Sequence, residues 1–161
     1  LSVIYLSSGL IGFISFLVIL YGIFRKFDEK IKKMCLLSGG IGITPLRSIC
    51  KYVIDLKVDT DIILLYGNAT IEDIAFKDEF DEFQKENNQF KVIHVLNNPP
   101  SGWIGYQGFI NADIVKKEVS DYSKRVFYIC GPPGMVNAMK KLLKEFELNN
   151  NQIKMENFTG Y

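Results

Sequence analysis

The chain has 161 residues, with 19 basic and 18 acidic side chains, a formal net charge of +1 and 48% apolar residues. That length buries the core of one domain plus an appendage, and the balanced charge excludes the basic footprint of a nucleic-acid binder. Three widely spaced cysteines, Cys35, Cys50 and Cys130, exclude a disulfide framework and point to reduced thiols in a cytoplasmic compartment.

Leu1 to Phe24 carries no charge and is apolar apart from four serines. As a helix this stretch would span ~36 Å, enough for a bilayer core of roughly 30 Å. Arg25, Lys26, Lys30, Lys32 and Lys33 follow at once, as a positive-inside boundary requires. One expectation is therefore a transmembrane helix, with the remainder on the cytoplasmic side. The other is that the segment is a remnant of a preceding domain. Residues 1–29 are set apart as this apolar segment, and residues 30–161 as a domain.

From there strand and helix patterns alternate. Ile31 to Leu37 is the first strand, followed by the turn Ser38-Gly39-Gly40-Ile41-Gly42-Ile43. A helix opens at Thr44-Pro45, with Thr44 as N-cap and Pro45 first in the helix, where its missing N–H costs nothing. It runs to Val58, with Leu46, Ile49, Cys50, Val53 and Ile54 at helical spacing. Asp61 to Tyr66 is apolar nearly throughout, as in strands covered on both faces, and Gly67 to Thr70 is the turn after it.

Asp78 to Glu86 is a helix with Phe80 and Phe83 as its buried stripe, and Phe90 to Leu96 the third strand. His94 lies inside the run Val92-Ile93-His94-Val95 with no ligand-spaced Asp, Glu or second His, so it reads as a strand residue. No metal site is expected. A weaker helix follows from Ala112 to Val119, then a strand from Arg125 to Cys130, a helix from Val136 to Glu147, and a last strand from Gln152 to Phe158.

This alternation predicts an α/β fold, a three-layer α/β/α arrangement around a five-stranded parallel sheet, with the apolar helix in front of it. Ligands in such sheets bind beyond the carboxyl ends of the strands. Four glycine-bearing loops follow strands, at 38–44, 67–70, 97–102 and 131–134, and are expected to share one edge. At the first of them, glycines admit close backbone approach, and the N–H groups of the following helix favour an anion.

Gly39-Gly40-Ile41-Gly42-Ile43-Thr44-Pro45, Tyr66-Gly67-Asn68, Cys130-Gly131-Pro132-Pro133-Gly134-Met135 and Met155-Glu156-Asn157-Phe158, in this order, resemble the Rossmann-like NAD(P)-binding domain of the ferredoxin–NADP reductase family. The resemblance covers residues 30 to 161. It implies an NAD(P)H-dependent flavin oxidoreductase in which an antiparallel barrel holds FAD or FMN. This domain would bring NADH or NADPH against that flavin for hydride transfer.

Carried onto these residues, the resemblance implies that Gly39, Gly40, Ile41, Gly42, Thr44 and Pro45 form the pyrophosphate turn. Gly67, Asn68, Asn97 and Asn98 would line the nucleotide. Cys130, with Gly131, Pro132 and Pro133, would position the nicotinamide, and Met135 would start a helix beneath it. Glu156 would assist proton traffic, and Phe158 would cover the flavin ring. Asn97 and Asn98 stand where NADPH users carry Ser and Arg, and Ala69 where many relatives carry Arg, which favours NADH.

No flavin barrel and no flavin motif precedes residue 38, although Tyr21-Gly22-Ile23-Phe24 resembles half of the stretch that closes a flavin domain. The expected partners are accordingly a flavin-binding domain or subunit and a downstream acceptor: ferredoxin, a haem or iron–sulfur protein, or a small molecule. The alternative is a membrane-anchored or remnant dinucleotide-binding subunit without catalysis of its own.

Overall fold

The computed structural model describes residues 27–157. The segment read as a membrane helix or remnant lies outside these residues, as does Phe158. Among the described residues no helix is long and apolar enough to cross a membrane.

β1 (Lys33–Gly39), β2 (Asp61–Asn68), β3 (Phe90–Leu96), β4 (Tyr106–Gln107), β5 (Val126–Gly131) and β6 (Ile153–Asn157) form one sheet in the order β4-β3-β2-β1-β5-β6. Every pairing is parallel. The helices are α1 (Ile43–Asp55), α2 (Lys77–Glu86), α3 (Ala112–Glu118) and α4 (Pro133–Lys144). The sheet has six strands where the sequence predicts five. The addition, β4, is two residues beside Val95 and Leu96, too short to show a period-2 pattern, and the chain leaves it through Gly108 at φ 97°.

Continuous apolar strands are explained by cover on both faces. Met34, Leu36, Leu64 and Tyr66 join Ile49, Val53 and Phe80 in one core layer, under α1 and α2. Their alternates Cys35, Leu37, Leu65 and Val95 join Ile114, Val115 and Leu143 in the other, under α3 and α4. Helix amphipathicity and strand alternation thus specify the same two layers.

At the amino ends of the strands Arg125, 4% exposed, draws the sheet together. Its guanidinium donates to the Met34 carbonyl (3.0 Å), to both Asp61 carboxylate oxygens (2.7 and 2.9 Å) and to Asp121 (2.5 Å). Lys33 adds a second ion pair to Asp121 at 2.6 Å. Burial alone would raise the Asp121 carboxyl, but hydrogen bonds from Arg125 and Lys33 hold it down at about 2.

The strand order reverses at β1. The chain steps from β1 through β2 and β3 on one side, then returns to place β5 and β6 on the other. The carboxyl ends of β1 and β5 are therefore where a crevice must open.

Candidate functional site

A crevice of about 990 Å³ lies across these strand ends. It is lined by Gly39 and Gly40 after β1, Tyr66 to Ala69 at the end of β2, Asn97 after β3, and Pro132, Gly134 and Met135 after β5. Size, concavity and largely apolar walls suit an organic ligand.

The glycine turn is built differently from the sequence expectation. Gly40–Gly42 form a 3-10 turn that runs directly into α1, so the helix begins at Ile43 and the cap position falls on Gly42. Thr44 is not the N-cap. Its hydroxyl donates to the Ile41 carbonyl at 3.3 Å, within the first turn, and Pro45 is buried one residue later, where a missing N–H is still harmless. The reason is Gly40, which at φ 51° reverses the chain early enough for helical geometry to start ahead of Thr44. The fully buried Tyr66 steadies this turn, its hydroxyl donating to the Gly40 carbonyl at 3.2 Å.

Gly42 does not line the crevice. A Cβ there would stand 2.6 Å from the carbonyl carbon of Cys130 and the Cα of Gly131, so it is the contact glycine between the turn and β5. Gly39 and Gly131 instead make room for Met135. A Cβ on Gly131 would meet its Sδ at 2.9 Å, and one on Gly39 would collide with the same sulfur.

The register sets Cys130 between Ser38 on β1 and Glu156 on β6, and Gly131 beside Asn157. The Cys130 side chain is buried in the core layer under α1, and its carbonyl accepts from the Ser38 hydroxyl at 3.4 Å. Cys130 and Glu156, the expected chemical pair, are thus register neighbours across β5 and β6, one strand beyond the β1–β5 switch. Pro132 and Pro133 are exposed, and α4 starts at Pro133, so Met135 is the third residue of that helix and not its opener.

Asn68 is 6% exposed, and its two amide atoms are buried with no hydrogen-bond partner. The amide lies by the Tyr66 hydroxyl, close enough to bear on its acidity, yet closes no hydrogen bond with it. A buried amide left open in this way costs free energy unless a ligand fills it. Asn98, by contrast, is exposed and outside the crevice, because the chain at 98–105 turns outward before coming back through β4. The third wall is consequently Asn97 with Gly108, Phe109 and Ile110, and the rest of the glycine-bearing stretch, 98–102, stays outside it.

Other lining residues carry little sequence signal. Asp73 accepts from the Thr70 backbone N–H (2.9 Å) and hydroxyl (3.0 Å), closing a loop that brings Ala75 and Phe76 to the rim. Phe76 is held at φ 59°, uncommon for a bulky residue, with the Arg47 guanidinium 4.6 Å from its ring centroid. Phe109 is 77% exposed and Ile41 71%. A Thr-x-x-Asp spacing was the one available clue to this loop.

Electrostatically the crevice is sparse. Asp73 is the charged side chain among the lining residues, and no lysine or arginine joins it. The nearby cations are occupied: Arg47 donates to Glu79, including one bond of 2.7 Å, and Lys77 pairs with Asp81 at 2.6 Å. Among the described residues no group of three His, Cys, Asp or Glu is arranged to hold a metal ion.

Comparison with known proteins places these features. A profile described as the oxidoreductase NAD-binding domain matches residues 36–141. An NADH-cytochrome b5 reductase 1 from Dictyostelium discoideum is 40% identical over 124 residues, which cover 76% of this chain and 43% of that protein. One from Aspergillus terreus is 41% identical over 113 residues, 66% of this chain and 38% of that protein. The chain thus spans about two fifths of the length of these curated relatives. Among solved structures, the cytochrome b5 reductase domain of Ulva prolifera nitrate reductase superposes with a TM-score of 0.73 at 26% identity, over 78% of this chain and 50% of that one. The CS-b5R domains of human Ncb5or in the NAD+ form give 0.72 at 28% identity, over 81% of this chain and 38% of that one.

Proposed function

The chain belongs to the oxidoreductase NAD-binding domain family, and from that premise we propose that its crevice holds NADH as the hydride-donor half of a flavin-dependent reductase. When bound, such a nucleotide supplies a hydride, which passes to a flavin held by a partner domain. The relatives named NADH-cytochrome b5 reductase support a separate flavin-binding region and a haem-protein acceptor as the partners.

The observation that carries this reading is the crevice at the β1–β5 switch, built on a glycine turn and free of basic side chains. The N–H groups at the start of α1 form the donor set for the pyrophosphate, and Tyr66 fixes their direction through Gly40. The open Asn68 amide offers its NH2 as donor and its carbonyl oxygen as acceptor to a neutral group of the nucleotide. Cys130 acts as a positioning residue from beneath the strand ends, and Glu156, its register neighbour on β6, is the acid assigned to proton traffic. Apolar lining from Ile43, Ile110 and Met139 keeps water from the ring.

The same electrostatics favour NADH over NADPH. Among the described residues that line the crevice, a dianionic 2′-phosphate would find Asp73 and no cation to neutralise it. Titration of the full chain with each nucleotide, followed by Trp103 fluorescence, tests this. NADH is expected to bind more tightly by tenfold or more, on the order of one unpaired charge contact. Ala69→Arg, at the exposed crevice rim, should raise NADPH affinity while leaving NADH within about threefold. Equal affinities for the two nucleotides would sink the argument, and absence of binding by either would sink the function.

A further inference from the structure

The thioether of Met135 occupies an unusual place. Gly39 closes β1 and Gly131 closes β5, and the missing side chains of both leave the notch in which the Met135 sulfur sits. Its methyl carbon is 3.7 Å from where a Gly39 Cβ would be, and the Pro132 ring closes the same notch at an equal distance. Met135 is only partly buried and faces the crevice, whereas Met34 and Met139 are 0% and 4% exposed. The thiols of Cys35, Cys50 and Cys130 are all buried, and burial pushes those of Cys35 and Cys50 far from ionisation, leaving them poor targets for oxidants. Met155 is partly buried as well but does not line the crevice, so among the described residues Met135 is the partly buried thioether that the crevice presents, at the junction where the glycine turn meets β5.

We propose that Met135 is a reversible sulfoxidation site that closes the crevice to dinucleotide, an inference that rests on the crevice being the NADH site. Hydrogen peroxide is the oxidant. One oxygen passes to the sulfur as the S–O bond forms and the O–O bond breaks. The thioether loses two electrons, and the peroxide leaves as water. The product replaces a soft apolar group with a strong hydrogen-bond acceptor. Borne on a sulfur seated against Gly39, that oxygen competes with a pyrophosphate for the N–H groups of the turn, while its partial negative charge repels the anion. Gly39 and Gly131 offer no side chain to shift aside, so the added oxygen is directed outward into the crevice.

The full chain is treated with hydrogen peroxide with and without NADH, mapped by peptide mass spectrometry, and titrated with NADH before and after incubation with a methionine sulfoxide reductase. Met135 should oxidise ahead of Met34, Met139 and Met155, and bound NADH should slow it. Oxidised protein should bind NADH roughly tenfold more weakly, as loss of a charge-assisted hydrogen bond would produce, and the reductase should restore it. Met135→Leu, compared with its own untreated affinity, should not respond to peroxide.

The inference is overturned if Met135 oxidises no faster than Met34, Met139 and Met155, if its oxidation leaves NADH affinity unchanged, or if Met135→Leu loses affinity on treatment as the parent does. An untreated chain that takes up no NADH overturns the reading of the crevice instead. The oxidation map from the same samples then shows whether Met135 was singled out regardless.

Discussion

At the scale of single residues, three glycines close together do three different jobs. Gly40 reverses the chain at positive φ, Gly39 leaves space for a sulfur, and Gly42 lets the turn lie on the β5 backbone. Their spacing was legible in the sequence as a strand–turn–helix. The division of labour was not, because it depends on β5, some ninety residues further along the chain. For Gly42→Ala the obstruction is main chain at 2.6 Å, which no rotamer relieves, so about 1–3 kcal/mol of stability should be lost together with NADH binding. Denaturant unfolding with parallel NADH titration checks this; an alanine variant as stable as the parent would show that the turn can slide off β5. Asn97 and Asn68 were legible as positions after strands. Asn98 was not distinguishable from them, since only the outward path of the chain after Asn97 separates the neighbours.

At the scale of elements, the strands and long helices were read to within a few residues, because apolar runs and helical spacing are local signals. β4 escaped, being held by two pairings to β3 and by Trp103, whose ring N–H donates to the Tyr106 carbonyl at 3.2 Å. The seam between β3 and α2 holds His94, read correctly as a strand residue. Its two ring nitrogens are buried without partners, its ring is 5.9 Å from that of Tyr66, and Lys77 and Asp81 of α2 face it. Burial lowers its pKa, with Lys77 adding to the effect and Asp81 opposing it. Folded protein thus binds fewer protons here than unfolded protein, so this contribution to stability is fully present above pH 6.5 and is lost as pH falls below it. His94→Phe should flatten the fall in stability below pH 6.5 and add up to about 1 kcal/mol at neutral pH, since an apolar ring leaves no unpaired nitrogen. Thermal melts at a series of pH values measure both; an unchanged slope would remove His94 as the cause.

At the scale of the whole molecule, the sheet is fastened at one end and open at the other. Arg125 ties the start of β1 to Asp61 of β2 and to Asp121 ahead of β5, while the opposite ends diverge around the crevice. This clamp was invisible in the sequence, where Arg125 reads as the first residue of a strand. Arg125→Met removes the cation, leaving the Asp61 carboxylate without its guanidinium partner and Asp121 with Lys33 alone. It should cost about 2–4 kcal/mol, below the value for a fully buried pair because Asp61 and Asp121 stay 35% and 26% exposed. Because the folded Asp121 pKa is depressed to about 2, its contribution is present above the ordinary carboxylate range and is lost as pH falls towards 2. The variant should shed that acid limb as well as stability, and retention of both would show that Lys33 alone holds Asp121. The two-residue strand β4 has a consequence of another kind. Without it the sheet would end on β3, seven residues of unpaired backbone donors and acceptors on an apolar strand. Tyr106 and Gln107 cover the carboxyl end of that row, and Gly108 then turns the chain away before more of a new edge is presented. So short a border gives an incoming strand from another molecule almost no register to pair with. The crevice end of this flank is thereby guarded against strand addition, and the guard is a segment that local sequence patterns do not reveal.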